Sequence, residues 1–202
     1  DGDLQKAQKF ARQWSIPKVY ADFKQMLKQE SLDGVSNVTP DKFHALVAKA
    51  VIKKGIAILS EKPLAANLTE ARQLVRLTKK TKIINMVNFS YRNAPALWAA
   101  AQAIKKGKIG EPVHLEASYL QSWLVSATWG DWQKDPAWTW RLSTRHGSAG
   151  VLGDIGCHIY DLASFLLGDF SRIYCQLKTF DKGVPGNRIG PYVLDANDSF
   201  FS

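Results

Sequence analysis

The stretch Gly55-Ile56-Ala57-Ile58-Leu59-Ser60-Glu61-Lys62-Pro63 puts a helix stop, an apolar strand and a charged, proline-closed turn into nine residues. Gly55 ends the helical pattern of Phe43 to Lys54, because glycine readily takes the left-handed conformation that closes a helix. Ile56 to Ser60 is an apolar strand that runs directly into Glu61-Lys62-Pro63. The same alternation extends outward in both directions. Leu4 to Trp14 is an amphipathic helix with Leu4, Ala7, Phe10, Ala11 and Trp14 on one face. Asp22 caps a short helix from Phe23 to Gln29, and Asp33 to Val38 is a short strand ending at Thr39-Pro40. Beyond Pro63, Thr69 to Lys80 is a helix and Ile83 to Asn88 is a third apolar strand. Short apolar strands separated by helices of roughly 10 to 15 residues predict a parallel sheet covered by helices on both faces. In that doubly wound architecture ligands bind beyond the carboxyl ends of the strands. Those ends carry Thr39-Pro40, Glu61-Lys62-Pro63 and Asn88.

After Pro95 the pattern changes. Ala96 to Lys106 is a helix closed by Gly107, and Gly110-Glu111-Pro112 is a turn. Val113 to Trp123 alternates as an antiparallel strand, with Val113, Leu115, Ala117, Tyr119 and Gln121 on one face. Residues 124–148 read as a long loop rich in Trp, Asp and Pro. Val151 to Leu167 is an apolar helix ended by Gly168, and Ile173 to Phe180 is a further strand. The expected architecture is therefore an α/β domain over residues 1–93, followed by an α+β domain over residues 94–202 with a predominantly antiparallel sheet.

Composition narrows the function classes. The 202 residues are 46% hydrophobic and 22% charged, as in an ordinary globular protein. No apolar run approaches the roughly 18 to 20 residues that span a bilayer, so no membrane association is expected. Two cysteines, Cys157 and Cys175, make neither a disulfide framework nor a zinc spacing. A reducing, cytoplasmic location is the simplest expectation. The net charge of +9 invites a nucleic-acid partner. However, Lys53-Lys54, Lys79-Lys80-Lys82 and Lys105-Lys106-Lys108 each fall at a helix end, where cations complement the helix dipole. No basic stripe with interleaved aromatics accompanies them, so no nucleic-acid partner is expected.

Three constellations could carry chemistry. Asp154 and His158 lie four apart on the helical pattern, so both can face one site. An imidazole can take a proton from an alcohol near neutral pH, and a neighbouring carboxylate can orient the hydroxyl. On spacing alone the pair also fits a first-turn acid and a satisfied, half-buried histidine. Lys62 projects from a strand end, where an ammonium can stabilise developing oxyanion character; an isolated loop lysine fits the position as well. The third constellation is the tryptophan-rich run of Trp123, Trp129, Trp132, Trp138 and Trp140. Indole faces suit the apolar faces of sugar rings, and they suit core packing equally. Arg141 and Gln121 are polar candidates beside these tryptophans. His44, near a helix start, is placed for capping or cofactor contact. No His/Cys/Asp cluster has metal spacing, so no metal is expected.

Five tracts, taken in order, resemble the glucose-fructose oxidoreductase and inositol dehydrogenase (Gfo/Idh/MocA) family. They are Thr39-Pro40-Asp41-Lys42-Phe43-His44, Glu61-Lys62-Pro63-Leu64, Tyr91-Arg92-Asn93-Ala94-Pro95, Gly107-Lys108-Ile109-Gly110-Glu111 and Gly150-Val151-Leu152-Gly153-Asp154-Ile155-Gly156-Cys157-His158. The resemblance implies a Rossmann-type domain binding NAD or NADP, then an α+β domain whose sheet makes a homo-oligomer contact. It implies hydride transfer to or from a secondary alcohol of a sugar, inositol or related polyol, with Lys62, Asp154 and His158 as catalytic residues. Asp1, Thr39, Pro40, His44, Glu61, Lys62 and Asn88 then fall at the cofactor, and Arg92, Gln121, Trp123, Trp140 and Arg141 at the substrate. Two other functions remain open on this scaffold: a non-catalytic sugar or cofactor binder, and an enzyme using bound NAD transiently for epimerisation or glycoside cleavage. The family pattern opens with a strand and a G-x-G-x-x-G turn that have no counterpart here, and its last sheet continues past Ser202. The expectation is a chain incomplete at both ends relative to that pattern.

Overall fold

The computed structural model describes residues 1–202. The chain divides into two compact units, Asp1–Thr39 with Phe43–Val87, and Pro40–Lys42 with Asn88–Ser202.

The first unit is built on a three-stranded parallel sheet, β1 (Gly34–Asn37), β2 (Ala57–Ser60) and β3 (Asn85–Val87), in the order β1-β2-β3. Gly34 pairs with Ala57 and Asn37 with Ser60; Ile58 pairs with Asn85 and Ser60 with Val87. Parallel neighbours need a crossover, which helices α3 (Asp41–Lys53) and α4 (Leu68–Thr81) supply. Helices α1 (Leu4–Gln13) and α2 (Phe23–Gln29) precede the sheet. Local chemistry sets their ends: Asp3 accepts from the N–H groups of Gln5 and Lys6, Asp22 from that of Lys24, and Asn67 from that of Glu70. The core is Leu27, Ala45, Val47, Ala48, Val51, Ile52, Ile56, Ile58 and Leu74. Full burial of each larger member removes apolar surface worth about 1.5–3 kcal/mol. The helical pattern in α1 forms as expected, yet of its apolar face only Ala11 is buried, and Phe10 and Trp14 are exposed.

In the second unit, α5 (Pro95–Lys105) packs on α7 (Cys157–Leu167), with Trp98 edge-on to Phe165 at 5.1 Å. Arg92, in the 3-10 turn Ser90–Asn93, makes a bidentate ion pair with Asp161 of α7 (2.8 and 2.7 Å) and lies over the Phe165 ring. Two antiparallel pairs complete the unit. β4 (Gln176–Lys178) pairs with β7 (Ser199–Phe201), and β5 (Arg188–Ile189) with β6 (Tyr192–Val193). The long loop contains four short helical turns, at Ala127–Trp129, Pro136–Thr139 (α6), Trp140–Leu142 and Thr144–His146.

Two expectations need correction. Val113 to Trp123 alternates in sequence but joins no sheet, and Val113 and Leu120 are almost fully exposed. Alternation marks a face; a ladder needs a partner strand in register, which this run does not have here. The expected strand from Ile173 to Phe180 shrinks to β4 for the same reason, since only Gln176–Lys178 finds β7. No helix is long and apolar enough to cross a membrane.

Candidate active site

In the first unit, polar contacts fix the carboxyl ends of β1 and β2. The Glu61 N–H donates to the Asn37 carbonyl at 2.9 Å. Asn37, 2% exposed, donates its amide to the His44 carbonyl (3.1 Å) and accepts from the Thr39 hydroxyl (2.8 Å). The His44 imidazole, 1% exposed, lies between two backbone oxygens, Nδ1 2.6 Å from that of Pro63 and Nε2 2.6 Å from that of Thr39. Of the two uses open to His44 in sequence, neither is the one its ring serves: both nitrogens face the turns that carry Thr39 and Lys62, from behind. The Lys62 N–H donates to its neighbour Glu61 (3.1 Å), and the Lys62–Pro63 peptide is cis. Asp1 is exposed and accepts from the Asp3 N–H at 2.9 Å, at the start of α1.

In the second unit, Asp154 and His158 lie on one continuous helical run. Leu152–Gly156 is a π turn that leads straight into α7. Single π turns inside α-helices are uncommon and recur at functional sites. Asp154 sits in that turn and His158 about one turn later, so the expected common face is kept. The start of this run is held from far along the chain. The Val151 N–H donates to the Asn197 carbonyl (2.8 Å) and the Leu152 N–H to the Asn197 side-chain oxygen (3.0 Å). Glycine makes the approach possible: at Gly150, whose φ is +66°, a Cβ would collide with Asn197. At Gly156 a Cβ would come within 3.0 Å of the Phe200 ring.

His158 is 6% exposed and flanked by aromatic rings. Tyr91 stacks on the imidazole at 4.2 Å with planes 30° apart, and Phe89 meets it edge-on at 5.9 Å. The Tyr91 hydroxyl lies 2.6 Å from that of Tyr119, which also accepts from the Gln121 amide at 3.2 Å. The Tyr119 hydrogen bond, then burial, then the negative charges of Tyr119 and Asp154 push the Tyr91 phenol up to about 12. It stays protonated at any physiological pH.

The remaining candidates of the second unit do not gather in one place. Trp123 and Trp138 lie 5.9 Å apart, and the Arg141 guanidinium sits over both Trp138 (5.1 Å) and Trp140 (4.8 Å), with one N–H donated to the Ala137 carbonyl (2.6 Å). Trp123, Trp140 and Arg141 are thus one cation–π cluster, while Gln121 belongs with the two tyrosines. Arg92 already commits two of its donors to Asp161, and Asn88 is half-buried just after β3. Sequence reasoning selects Arg92 and passes over its neighbour Tyr91. The shared face of Tyr119 and Gln121 was a usable signal, whereas nothing local points to Phe89 or Asn197.

Comparison with known proteins assigns the family. Residues 1–89 match the model of an oxidoreductase family with an NAD-binding Rossmann fold, and residues 97–200 match that of the GFO/IDH/MocA C-terminal domain. The chain belongs to the GFO/IDH/MocA family. It is 32% identical over 172 residues to levoglucosan dehydrogenase of Pseudarthrobacter phenanthrenivorans, covering 84% of this chain and 42% of that protein. It is 25% identical over 194 residues to D-apiose dehydrogenase of Paraburkholderia graminis, covering 96% and 48% respectively. A solved levoglucosan dehydrogenase in complex with NADH and levoglucosan superposes with a TM-score of 0.77 at 31% identity, over 89% of this chain and 47% of that one. The chain spans about half the length of these relatives.

Proposed function

We propose that this chain is part of an NAD(P)-dependent oxidoreductase acting on a secondary alcohol, or the corresponding ketone, of a sugar or related polyol. The observation that carries the reading is the His158 environment: a nearly buried imidazole, held between Tyr91 and Phe89, one turn after Asp154 on a helix interrupted by a π turn. The relatives support the substrate class, since they are dehydrogenases of levoglucosan and D-apiose.

The residues at the strand ends suit a dinucleotide. The turns carrying Thr39 and Glu61-Lys62 are rigidly tied by Asn37 and His44. Their hydroxyl and carboxylate groups match ribose and carboxamide, and ligands of such sheets bind at this edge. Thr39, Pro40, Glu61, Lys62 and Asn88 are assigned to hold the cofactor, with His44 bracing the turns and Asp1 assigned to the adenine ribose. When bound, the nicotinamide supplies the hydride acceptor for the carbinol carbon. His158 accepts the hydroxyl proton as the carbonyl forms. Lys62 stabilises the oxygen as it gains negative character, and Asp154 orients the hydroxyl. The Trp-Arg cluster and Gln121 are assigned to the rest of the sugar.

The test is the absorbance at 340 nm of the full-length protein with NAD+ or NADP+ across a panel of sugars and polyols. A rise with at least one member is expected. Calorimetric binding of a sugar with no absorbance change and no product would overturn the reading in favour of a binding protein. Product formed without net NADH would replace simple oxidation with transient use of the cofactor.

A further inference from the structure

Outside the residues already assigned a role, the Tyr91 ring stacks face-on against the imidazole at the centre of the site. Tyr91 lies in the turn Ser90–Asn93, and the structure holds it from two directions. Its neighbour Arg92 is locked to Asp161, whose side chain is 9% exposed, by the bidentate pair. Its own hydroxyl is fixed by Tyr119, which is braced in turn by Gln121. Asp161 and His158 are three residues apart on α7 and therefore share a face. Adjacent residues 91 and 92 thus grip the same helix face one turn apart, one by stacking on an imidazole and the other by ion pairing.

We propose that Tyr91 is a positioning residue for His158: its ring face fixes the plane of the imidazole and stabilises the imidazolium formed when the proton is taken up. This rests on His158 acting as the base in the function proposed above. The ring is the working part. A phenol that keeps its proton up to about pH 12 is no acid or base at working pH, and its hydroxyl serves to anchor the ring on Tyr119. The electron-rich ring face favours the cationic form over the neutral one, and a fixed imidazole plane keeps the receiving nitrogen aimed at the hydroxyl.

The test compares Tyr91→Phe and Tyr91→Leu in the full-length protein. In Tyr91→Leu, kcat is expected to fall about 10-fold, with KM for the polyol within about threefold of wild type. Tyr91→Phe keeps the ring but loses its tie to Tyr119, and is expected to lose about two- to threefold in kcat, well short of the loss in Tyr91→Leu. Unchanged thermal midpoints and NADH fluorescence titrations verify folding of both variants. A readout independent of turnover is the NMR signal of the His158 ring protons. Stacking shifts them upfield in wild type and Tyr91→Phe, and the shift disappears in Tyr91→Leu. Equal kcat in Tyr91→Leu and wild type, or an equal loss in both variants, would overturn the proposal. If no polyol is turned over but the ring shift follows the expected order, the stacking contact stands and the catalytic reading is what fails.

Discussion

The two units are held together in different ways. The first gathers its core from a few regular elements: α3 alone buries Ala45, Val47, Ala48, Val51 and Ile52 against neighbours such as Ile58 and Leu74. Its strand-end polar ties join neighbouring βα turns of the same sheet, as in Asn37 to Thr39 and His44, and His44 to Pro63. The second unit has short strands and long irregular stretches, and its decisive contacts reach far along the chain. Asn197 closes the start of the Asp154–His158 helix, and Asp195 takes both the N–H and the hydroxyl of Thr144, at 2.8 Å each. A helix-and-strand framework can be anchored by burying apolar faces. A glycine-rich helix start and a loop-rich surround need specific long-range hydrogen bonds instead.

The contrast is broken most sharply by a core truncation in the first unit. Ile52→Ala removes a side chain that is 2% exposed in the last turn of α3. The expected cost is about 2–5 kcal/mol, read from denaturant unfolding of the full-length protein. A loss well under 1 kcal/mol would mean that this core is not what stabilises the parallel sheet.

A smaller effect is expected in the second unit. Asn197→Ala removes one of the two points of closure, the side-chain oxygen that accepts from the Leu152 N–H, and leaves the backbone carbonyl that accepts from Val151. The lost side-chain contact is worth about 1–2 kcal/mol. Turnover should fall by more than the stability loss explains, because the same contact anchors the turn that carries Asp154. Asn197→Asp, which keeps the accepting oxygen, should recover most of that turnover. If both variants match wild type in turnover, Asn197 has no part in placing the carboxylate.

The smallest effect concerns pH. Burial pushes the Asp195 carboxyl up, but the Thr144 N–H and hydroxyl outweigh it and hold the group below its ordinary value. A carboxylate depressed in the folded state stabilises above its unfolded pKa, and that stability is lost as pH falls through the folded one. Thermal midpoints should therefore drop slightly more on acidification for wild type than for Asp195→Asn. Identical acid profiles would remove this ion from the account of the second unit.

The same contrast explains what could be read from sequence. Periodicity and caps are local, so all four helices and all three strands of the first unit are visible in residues such as Asp22, Gly55 and Ile56–Ser60. Family tracts bring Lys62, Asp154 and His158 forward, although spacing alone leaves each of them ambiguous. The second unit depends on partners distant in sequence. Val113–Trp123 has the pattern of a strand without a partner, and β5, β6 and β7 are too short to carry a pattern at all. The π turn leaves no sequence mark that periodicity detects. The Tyr91 stack depends on a contact across 67 residues, from 91 to 158, and only the face shared by Tyr119 and Gln121 hints at its support.

The proposed mechanism gives His158 the proton and Lys62 the developing charge during hydride transfer. It is tested most directly by 340 nm rates of the full-length wild type, His158→Ala and Lys62→Ala proteins at saturating polyol and cofactor. Turnover is expected to fall at least ~100-fold in each variant, with thermal midpoints close to wild type. Unchanged turnover in both would contradict the mechanism outright.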